Sequence, residues 1–492
     1  MSKTSATYLV DLILRSRPED LAYVGEDGAL TYNELINRAL AHAKSRMSEA
    51  NTLGKDPQRR PIIVHGRNSC GMLIGILAAV FGGFPFVPLP ETLPKERVDK
   101  IYSLLEQEYG EKSVLYTKAD DFLAHAVIRE DTVTCGEPSS HGCMYIMFTS
   151  GSTGEPKGIK ISYDNVLGFV QWMKRTHSWS RSRETFLNQA PWSFDLSVIE
   201  LWVGLATGST IVSLSPTITQ HPSRLQDAAV HNPTVWVSTP SFFQFCLSIK
   251  MFDDRLFRTI KKFLFCGEKL SKDLVRKLWD RFPHAEVYNM YGPTETTCAV
   301  TSIQILPMDL LVDEDLPVGY RMPGNVITVN DDGTLRITGV SVGLGYLDRA
   351  AEGFGTSQNG RYFDTGDLGK VTEDGLIYIQ GRKERGKQVK IRGNRVELEE
   401  IGRHLNAVKG VAFGVIAFDE GRERLSAHIW GTDTSGEFLG FVRQSLMSKL
   451  PDYMVPNRLV VRHINDAPLT TNGKLDKIEM KRMAETYGID SI

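Results

Sequence analysis

Apolar and polar residues follow two different periods along the chain. The segment "LTYNELINRALAHAKSRMSEA" places its apolar residues at helical spacing. In contrast, "RPIIVHG", "FPFVPL", "TVWVST" and "FLFCG" are short β-branched or aromatic runs that are typical of buried strands. Because helical and extended segments follow each other repeatedly, the pattern predicts α/β layers in which most strands are parallel.

The pattern changes after about residue 310. "VITVNDDGTLRITG" and "GDLGKVTEDGLIYIQGR" are short runs punctuated by glycine, which predict β-hairpins in a β-rich subdomain. The final stretch of about 100 residues is typical of a compact α+β unit. We therefore predict a large N-terminal domain of layered α/β subdomains plus a β-rich subdomain over residues 1–383, and a small C-terminal domain over 384–492.

One uncharged segment has the length of a membrane span. "MLIGILAAVFGGFPFVPLP", residues 72–90, carries no charge, but Gly82, Gly83 and three prolines divide it into a helix of about eleven residues and an extended piece. A buried helix followed by a strand is therefore favoured over a membrane span. The N-terminus reaches Asp11 before any long apolar stretch, so a secretory signal is not expected.

Composition narrows the classes of partner. The 492 residues include 57 Lys plus Arg and 59 Asp plus Glu, a net charge of −2, which argues against a surface built to bind nucleic acid or anionic lipid. The six cysteines are scattered without metal-ligand spacing, so neither a disulfide framework nor a zinc site is predicted. We expect a cytoplasmic protein without membrane insertion.

A glycine-rich loop follows the apolar run "CMYIMF". In "FTSGSTGEPKGIKIS", residues 148–162, consecutive backbone N–H groups, hydroxyls and Lys157 could converge on an anion, and a polyphosphate is the expected ligand. The spacing differs from the Walker P-loop, because Lys157 precedes Gly158 and not a serine or threonine. The alternative for the loop alone is a mobile surface segment.

Further motifs accompany the loop in a fixed order. They are "NQAPWSFDLSVIELW", "FCGEKLS", "NMYGPTETT", "YFDTGDLG", the pair Gly381-Arg382 and "PLTTNGKLDK". Together they resemble the adenylate-forming superfamily of nonribosomal peptide synthetase adenylation domains, acyl-CoA ligases and firefly luciferase. Within it, "NQAPWSFDLSV", "VWVSTPSF" and "FCGE" look most like free-standing D-alanine–carrier protein ligases and their glycine-activating relatives in lipid A modification.

The resemblance implies a site for ATP and Mg²⁺. It places Thr294 on the α-phosphate, Glu295 on magnesium, and Lys474 between the substrate carboxylate and the α-phosphate. The phosphate loop would be formed by Thr149, Ser150, Gly151, Ser152, Thr153, Gly154 and Lys157. Taken alone, Lys474 would be a solvated surface charge.

The same resemblance implies how the nucleoside is bound. Tyr291, followed by Gly292, would stack on adenine, and Asn289 would pair with its exocyclic amine. Asp367 and Arg382 would bind the ribose. Taken singly, Tyr291 could be a core tyrosine and Asp367 could hold a turn.

The basic stretch 381–395 has seven Lys/Arg and three interpretations: a solvated charge run, a nucleic-acid patch or a hinge. Nucleic acid is disfavoured, because no aromatic residue is interleaved within it. The resemblance implies a hinge at Glu384 about which a mobile small domain exchanges Lys474 for a face with Lys390 and Gly393. Here Glu384 replaces the usual aspartate, and the following segment is two residues longer than in relatives.

The resemblance also implies which carboxylate is activated. Asp195 stands where amino-acid-activating members hold the α-ammonium group, an ion pair that acyl and aryl relatives lack. The pocket would be lined by Leu196, Ile199, Ser238, Leu264, Cys266, Met290, Cys298 and Ala299. These walls suit a very small apolar side chain or none, and Met290 would shrink the cavity, which slightly favours glycine over D-alanine.

The expected function is adenylation of that amino acid, followed by thioester transfer to the phosphopantetheine of a separate carrier protein, because no carrier domain follows residue 492. The resemblance implies a role in lipid A or teichoic acid modification of the cell envelope. The alternatives are an acyl- or aryl-CoA ligase, an adenylation enzyme of a secondary-metabolite pathway, and a non-catalytic binding module of the same fold.

Overall fold

The computed structural model describes residues 5–123, 141–149, 156–179, 183–219, 221, 223–347, 352–383, 388–391, 394–419, 422, 424–468, 479–480 and 482–483. The chain divides into two compact units. The first consists of Met1–Glu91, Leu104–Met147 and Gly158–Lys383, and the second of Thr92–Ser103, Phe148–Lys157 and Glu384–Ile492.

Several α-helices begin where the sequence supplies a capping side chain. Thr31 and Glu34 form a reciprocal capping box at the start of the second helix, and Ser69 caps the third, which ends at Gly83 in the left-handed conformation. The helices are α1 Ser5–Leu14, α2 Tyr32–Thr52, α3 Cys70–Gly82, α4 Lys95–Tyr109, α5 Tyr163–Thr176, α6 Arg224–Ala229, α7 Pro240–Leu247, α8 Lys272–Arg281, α9 Leu398–Asn406 and α10 Gly436–Met447.

The strands include the four runs that the apolar pattern singles out. They are β1 Leu21–Gly25, β2 Gly28–Thr31, β3 Ile62–His65, β4 Phe86–Leu89, β5 Leu115–Lys118, β6 Cys143–Thr149, β7 Lys157–Ser162, β8 Thr185–Asn188, β9 Thr210–Ser213, β10 Val235–Ser238, β11 Lys262–Phe265, β12 Glu286–Tyr291, β13 Thr301–Ile305, β14 Tyr320–Arg321, β15 Asn325–Val329, β16 Thr334–Gly339, β17 Gly345–Tyr346, β18 Phe354–Ser357, β19 Gly360–Val371, β20 Ile377–Arg382, β21 Gln388–Ile391, β22 Asn394–Glu397, β23 Val411–Asp419, β24 Arg424–Gly431 and β25 Arg458–His463.

Two sheets of the first unit are built around parallel strands. The nine-stranded sheet has the order β14-β13-β12-β11-β10-β8-β9-β1-β2, and its pairs from β12 to β1 are parallel. The six-stranded sheet has the order β17-β7-β6-β4-β3-β5, with β4 parallel to β3 and β6. Since parallel sheets are covered on both faces, their strands are nearly continuous runs of buried residues. The predicted α/β layers with mostly parallel strands are confirmed.

The predicted β-rich subdomain is also confirmed. β15 and β16 form one antiparallel hairpin and β19 and β20 another, within a five-stranded sheet in the order β15-β16-β19-β18, with β20 also paired to β19. Gly333 and Gly375, in the two hairpin turns, have φ values of 81° and 87°, a conformation that glycine adopts without steric cost.

The second unit has its own apolar core. β23, β24 and β25 form a three-stranded sheet, β21 and β22 form a separate hairpin, and α9 and α10 belong to the same unit. Its core residues include Ile401, Leu405, Ile429, Val442 and Leu446. This is the predicted compact α+β arrangement.

Two further expectations concern α3 and the cysteines. α3 is buried along its whole length and is followed by β4, as the glycines and prolines of that segment predict. In the described part of the chain, no helix is both long and apolar enough to cross a bilayer. Within the same part, no disulfide joins the five cysteines, all of which are buried.

Candidate active site

The parallel strands β8, β10, β11 and β12 end side by side at one edge of the nine-stranded sheet. Asp195 follows β8, Ser238 ends β10, Cys266 follows β11, and the segment 289–295 ends and follows β12. Ligands of open α/β sheets bind outside the carboxyl ends of the strands. The topology therefore gathers candidate residues that are up to 100 positions apart in the sequence.

The residues predicted to bind the ribose lie in contact with the tyrosine ring predicted to stack on adenine. Asp367 and Arg382 are register partners on β19 and β20, and Nε of Arg382 lies 2.8 Å from Oδ1 of Asp367. The hydroxyl of Tyr291 donates to Oδ2 of Asp367 at 2.6 Å. Burial first, and then the neighbouring carboxylate, raise the pKa of Tyr291 well above its ordinary value, so its hydroxyl stays a donor. Each oxygen of Asp367 keeps a second lone pair that could accept a ribose hydroxyl.

Asn289 and Gly292 lie at the end of β12. Nδ2 of Asn289 donates to the carbonyl of Pro317 at 2.8 Å, so the amide oxygen is the atom that could accept from the exocyclic amine of adenine. At Gly292 a Cβ atom would lie 2.7 Å from Cα of Ala299 and 2.8 Å from the carbonyl oxygen of Cys298. Glycine is therefore required at position 292 by the close approach of the backbone, which the motif alone does not reveal.

Thr294 joins the predicted phosphate contact to the predicted substrate contact. Its hydroxyl donates to Oδ2 of Asp195 at 2.5 Å, and both side chains are buried. Thr294 lies in a 3-10 turn after β12, and Asp195 lies in a 3-10 turn after β8. The site thus places a carboxylate beside the threonine that the resemblance assigns to the α-phosphate.

Glu295 is the residue that the resemblance assigns to magnesium. It is 1% exposed, and its Oε1 accepts a hydrogen bond from the hydroxyl of Tyr346 at 2.6 Å. Among the described residues no group of three or more His, Cys, Asp and Glu side chains is arranged to hold a metal ion. Mg²⁺ usually takes one or two carboxylates together with the phosphates of its substrate, so an oriented single carboxylate fits this ion.

The backbone after Glu295 takes a conformation that is rare outside glycine. Thr297 and Cys298 have φ values of 64° and 68°, which cost free energy for side chains with a Cβ, above all for β-branched threonine. The hydroxyl of Thr297 donates to the carbonyl of Ser341 at 2.8 Å, and Ser341 in turn donates to Asn325. Tertiary hydrogen bonds therefore hold this strained turn next to the predicted pocket wall.

The predicted pocket wall consists entirely of buried residues. Leu196, Ile199, Ser238, Leu264, Cys266, Met290, Cys298 and Ala299 are each at most 3% exposed. All except Ser238 belong to one apolar cluster, and the hydroxyl of Ser238 donates to the carbonyl of Thr239 at 3.0 Å. The wall is therefore apolar, and the one polar side chain in it is hydrogen-bonded within its own strand end.

Several predicted residues lie outside the described part of the chain. They are Ser150, Gly151, Ser152, Thr153, Gly154, Glu384, Gly393 and Lys474. Thr149 and Lys157 end β6 and begin β7 on either side of the loop, and Lys390 lies on β21.

Sequence reasoning missed four buried polar residues around the site. Tyr346 orients Glu295, and nothing in its surroundings along the chain indicates this. Asn188 and Glu200 lie within the quoted "NQAPWSFDLSVIELW", where a glutamate among apolar residues is a signal that could have been read. Tyr145 on β6 is fully buried, and burial and then Asp195 and Cys298 raise the pKa of its hydroxyl.

Comparisons with known proteins agree with the motifs. The sequence model of the family described as "AMP-binding enzyme" matches residues 12–347. The chain is 35% identical to a D-alanine–D-alanyl carrier protein ligase of Staphylococcus epidermidis over 500 residues, covering 97% of this chain and 98% of that protein. A ligase of the same name from Bacillus licheniformis is 35% identical, covering 95% and 97%. Among solved structures, NpsA-ThdA, an artificially fused adenylation–PCP di-domain NRPS from Klebsiella oxytoca, has the same fold, with a TM-score of 0.79, 20% identity and 94% of each chain covered.

Proposed function

The chain belongs to the AMP-binding enzyme family and is an ATP-dependent ligase, and from this premise we propose that it activates a very small amino acid, D-alanine first, and loads it onto a separate carrier protein. The hydrogen bond between Thr294 and Asp195 carries the proposal. An ammonium group bound at Asp195 would set the substrate carboxylate, one carbon away, beside the threonine proposed to contact the α-phosphate.

The proposed reaction has two steps. First, a carboxylate oxygen of the amino acid attacks the α-phosphorus of ATP, the new C–O–P linkage forms, and the bond to the β-phosphate breaks with release of pyrophosphate. The carboxylate is already ionised at pH 7, so this step requires no general base. Second, the thiolate of the carrier's phosphopantetheine attacks the carbonyl carbon, a thioester forms, and AMP leaves.

In the first step the site must offset the repulsion between two anions, the substrate carboxylate and the phosphates of ATP. We assign Lys474 to the space between the carboxylate and the α-phosphate, and the loop 149–157 to the phosphate tail. Glu295 would hold Mg²⁺, which when bound neutralises charge on the phosphates. Asp367, with its partners at the ribose, would fix the nucleoside.

D-alanine comes first because of the relatives, which are named for that substrate and align over nearly the full length of this chain. Glycine is the second candidate, because Met290 is 2% exposed within the apolar wall and would narrow the cavity. The two substrates differ by one methyl group, which a pocket distinguishes by about 1–3 kcal/mol. A role in lipid A or teichoic acid modification of the cell envelope rests on the family resemblance alone.

We also propose that residues 1–383 and 384–492 act as two domains that rotate about Glu384 between the steps. The adenylation step needs Lys474 at the phosphate, whereas the thiol of the second step needs a path to the carbonyl carbon. The longer segment after Lys383 would set how readily this rotation occurs.

ATP–pyrophosphate exchange with glycine, both alanine enantiomers, serine and palmitate tests the function. We expect exchange with D-alanine or glycine, and its loss in Asp195→Ala. The matched control is Asp273→Ala, whose side chain is 68% exposed, and it should keep full exchange. Exchange with palmitate alone would contradict the proposal and favour an acyl-CoA ligase, and no exchange with any of the five would favour a binding module.

A further inference from the structure

Glu200 is a buried glutamate that the reaction above does not use. It lies in the π-helical segment Ile199–Gly204, five residues after Asp195, and is 0% exposed. Short π-helical segments occur frequently at functional sites. Oε1 of Glu200 accepts a hydrogen bond from Nδ2 of Asn188 at 3.0 Å, whereas the buried Oε2 has no hydrogen-bond partner among the described residues.

Asn188 connects Glu200 to the strand end that leads to Asp195. Its Nδ2 also donates to the carbonyl of Ala190 at 3.0 Å, and its Oδ1 accepts from Asn68 at 2.7 Å and from Ser213 at 2.9 Å. Two donor hydrogens and two lone pairs are thus all used. Because the side-chain amide of Asn188 makes all four of its hydrogen bonds, its orientation is fixed. The hydrogen bond to Glu200 is one of the four.

Asn68 holds the same strand end from the other side. Its Nδ2 donates to the carbonyl of Ala190 at 2.9 Å, and its Oδ1 accepts from the backbone N–H of Trp192 at 2.9 Å. The backbone then turns, with the N–H of Phe194 donating to the carbonyl of Pro191 at 2.9 Å. Asp195 is the next residue, so the amide network fixes the backbone from which its side chain projects.

We propose that Glu200 is a positioning residue that keeps a proton at neutral pH and, through Asn188, holds the turn that presents Asp195 to the ammonium group of the substrate. The inference rests on the proposed function only in taking Asp195 as the partner of that ammonium group. A fully buried carboxylate with a single side-chain donor and no charged partner would cost several kcal/mol to ionise, so the neutral acid is the stable form. The pocket then keeps its negative charge at Asp195, where the ammonium group is needed.

The surroundings of Glu200 are consistent with a neutral side chain. The segment packs against α5, β8, β9, the turn Asp195–Ser197 and, through Trp202, β4. β4, β8 and β9 contain no charged residue, and the titratable side chains of the remaining elements are Tyr163, Asp164, Lys174, Arg175 and Asp195. Burial raises the pKa of Glu200 to about 8, opposed only by hydrogen bonds from Asn188 and a backbone N–H, and none of these causes is a charged side chain.

Two variants of the full chain test the two parts of the proposal separately. Glu200→Gln tests whether the side chain is neutral, and Glu200→Leu tests whether its hydrogen bond to Asn188 positions Asp195. Glutamine replaces a neutral acid by a neutral amide, so the KM for the amino acid and kcat in pyrophosphate exchange should stay within about twofold of the wild type. Leucine leaves a donor of Asn188 without its acceptor, so the KM for the amino acid should rise about tenfold or more, with the KM for ATP nearly unchanged. A tenfold rise in Glu200→Gln, or an unchanged KM in Glu200→Leu, would overturn the proposal.

Two measurements test whether the side chain of Glu200 is protonated, and neither depends on enzyme activity. In infrared difference spectra of wild type minus Glu200→Gln at pH 6.5, we expect the carbonyl band of a protonated carboxyl group, and a carboxylate band instead would refute the neutral acid. Folded Glu200 keeps a proton that the unfolded chain releases above its ordinary pKa, so the contribution of Glu200 to wild-type stability should fall as pH rises from 4.5 to 8. Glu200→Gln should lack this part of the fall in melting temperature, and identical pH curves would contradict the inference.

These results remain separable from a failure of the proposed function. If only palmitate supports exchange, the proposed function is contradicted, and so is the proposed positioning of Asp195 for an ammonium group. The infrared spectra and the melting curves still test whether Glu200 is protonated. If Glu200→Leu does not fold, Glu200→Gln and the spectra alone can overturn the inference.

Discussion

The hydroxyl of Thr294 lies 2.5 Å from Oδ2 of Asp195, and the two residues are 99 positions apart in the chain. One follows β12 and the other follows β8, so the parallel sheet brings them to the same edge. The contact fixes the carboxylate oxygen relative to the threonine that we assign to the α-phosphate. In the proposed site, this one hydrogen bond would couple substrate binding to phosphate chemistry.

Thr294→Val removes this hydrogen bond and keeps the shape of the side chain. We expect kcat/KM for the amino acid to fall about 10- to 100-fold, because a hydrogen bond to a charged group contributes roughly 1.5–3 kcal/mol. Thr294→Ser keeps the hydroxyl and should retain most of the activity. Equal losses in both variants would show that the methyl group, and not the hydroxyl, matters.

Tyr291→Phe keeps the aromatic ring and removes its hydrogen bond to Asp367. We expect the KM for ATP to rise about tenfold, equivalent to about 1.4 kcal/mol, with kcat less affected. Tyr320→Phe is the control, because its half-exposed hydroxyl also donates to an aspartate, Asp374, at 3.2 Å. An unchanged KM for ATP in Tyr291→Phe would contradict the assignment of Tyr291, Asp367 and Arg382 to nucleoside binding.

The sequence was sufficient for the layered architecture because that information is local. Continuous apolar runs such as Ile62–His65 predict buried parallel strands, and the glycines at 333 and 375 mark hairpin turns. The motifs likewise bring together residues such as Tyr291, Asp367 and Arg382, which the structure finds in contact.

The rest of the site depends on pairings between distant positions. Tyr346 reaches Glu295 because β17 pairs with β7 in the other sheet, and Asn68 reaches Trp192 across 124 positions. A single tyrosine or asparagine has no periodic pattern that could predict such contacts. The left-handed φ of Thr297 is also imposed by tertiary hydrogen bonds, against the local preference of a β-branched residue.

Lys474→Ala is expected to lower the adenylation rate by about 10²–10³, by analogy with other preorganised electrostatic groups. The expectation rests on the motif "TTNGKLDK", since this lysine lies outside the described residues. Lys95→Ala, with a side chain that is 87% exposed, is the control and should retain the wild-type rate. Single-turnover formation of the adenylate measures the effect, and a wild-type rate in Lys474→Ala would exclude the lysine from the first step.

Gly292→Ala tests the close backbone approach beside the proposed adenine site. A methyl group at position 292 would overlap the backbone of Ala299 and Cys298, so we expect a loss of about 1–3 kcal/mol in stability and a higher KM for ATP. Gly440→Ala is the matched control, because this exposed glycine of α10 has open space around its Cβ position. There alanine should leave the melting temperature unchanged or raise it, since alanine favours a helix. Equal melting temperatures and ATP KM values for Gly292→Ala and wild type would contradict the steric requirement.

His177 should make the first unit sensitive to acid. Its ring is stacked on Trp179 with centroids 4.7 Å apart and meets Tyr288 edge-on at 4.4 Å, and neither ring nitrogen has a hydrogen-bond partner among the described residues. Burial, and then the charge of Lys262, lower the pKa of His177 to about 3. The folded state therefore holds the ring neutral, whereas the unfolded chain takes up a proton below the ordinary pKa of 6.5.

The sign of the effect follows from this difference in proton binding. The stability associated with neutral His177 is fully present above pH 6.5 and is lost as the pH falls towards 3, by about 2 kcal/mol at pH 5. His177→Phe keeps the aromatic packing and cannot be protonated, so its melting temperature relative to that of the wild type should rise as the pH falls from 7 to 5. His284→Phe, at an exposed position, should follow the wild-type curve. Parallel curves for His177→Phe and wild type would contradict the prediction, because they would mean that protonating the buried ring costs no stability.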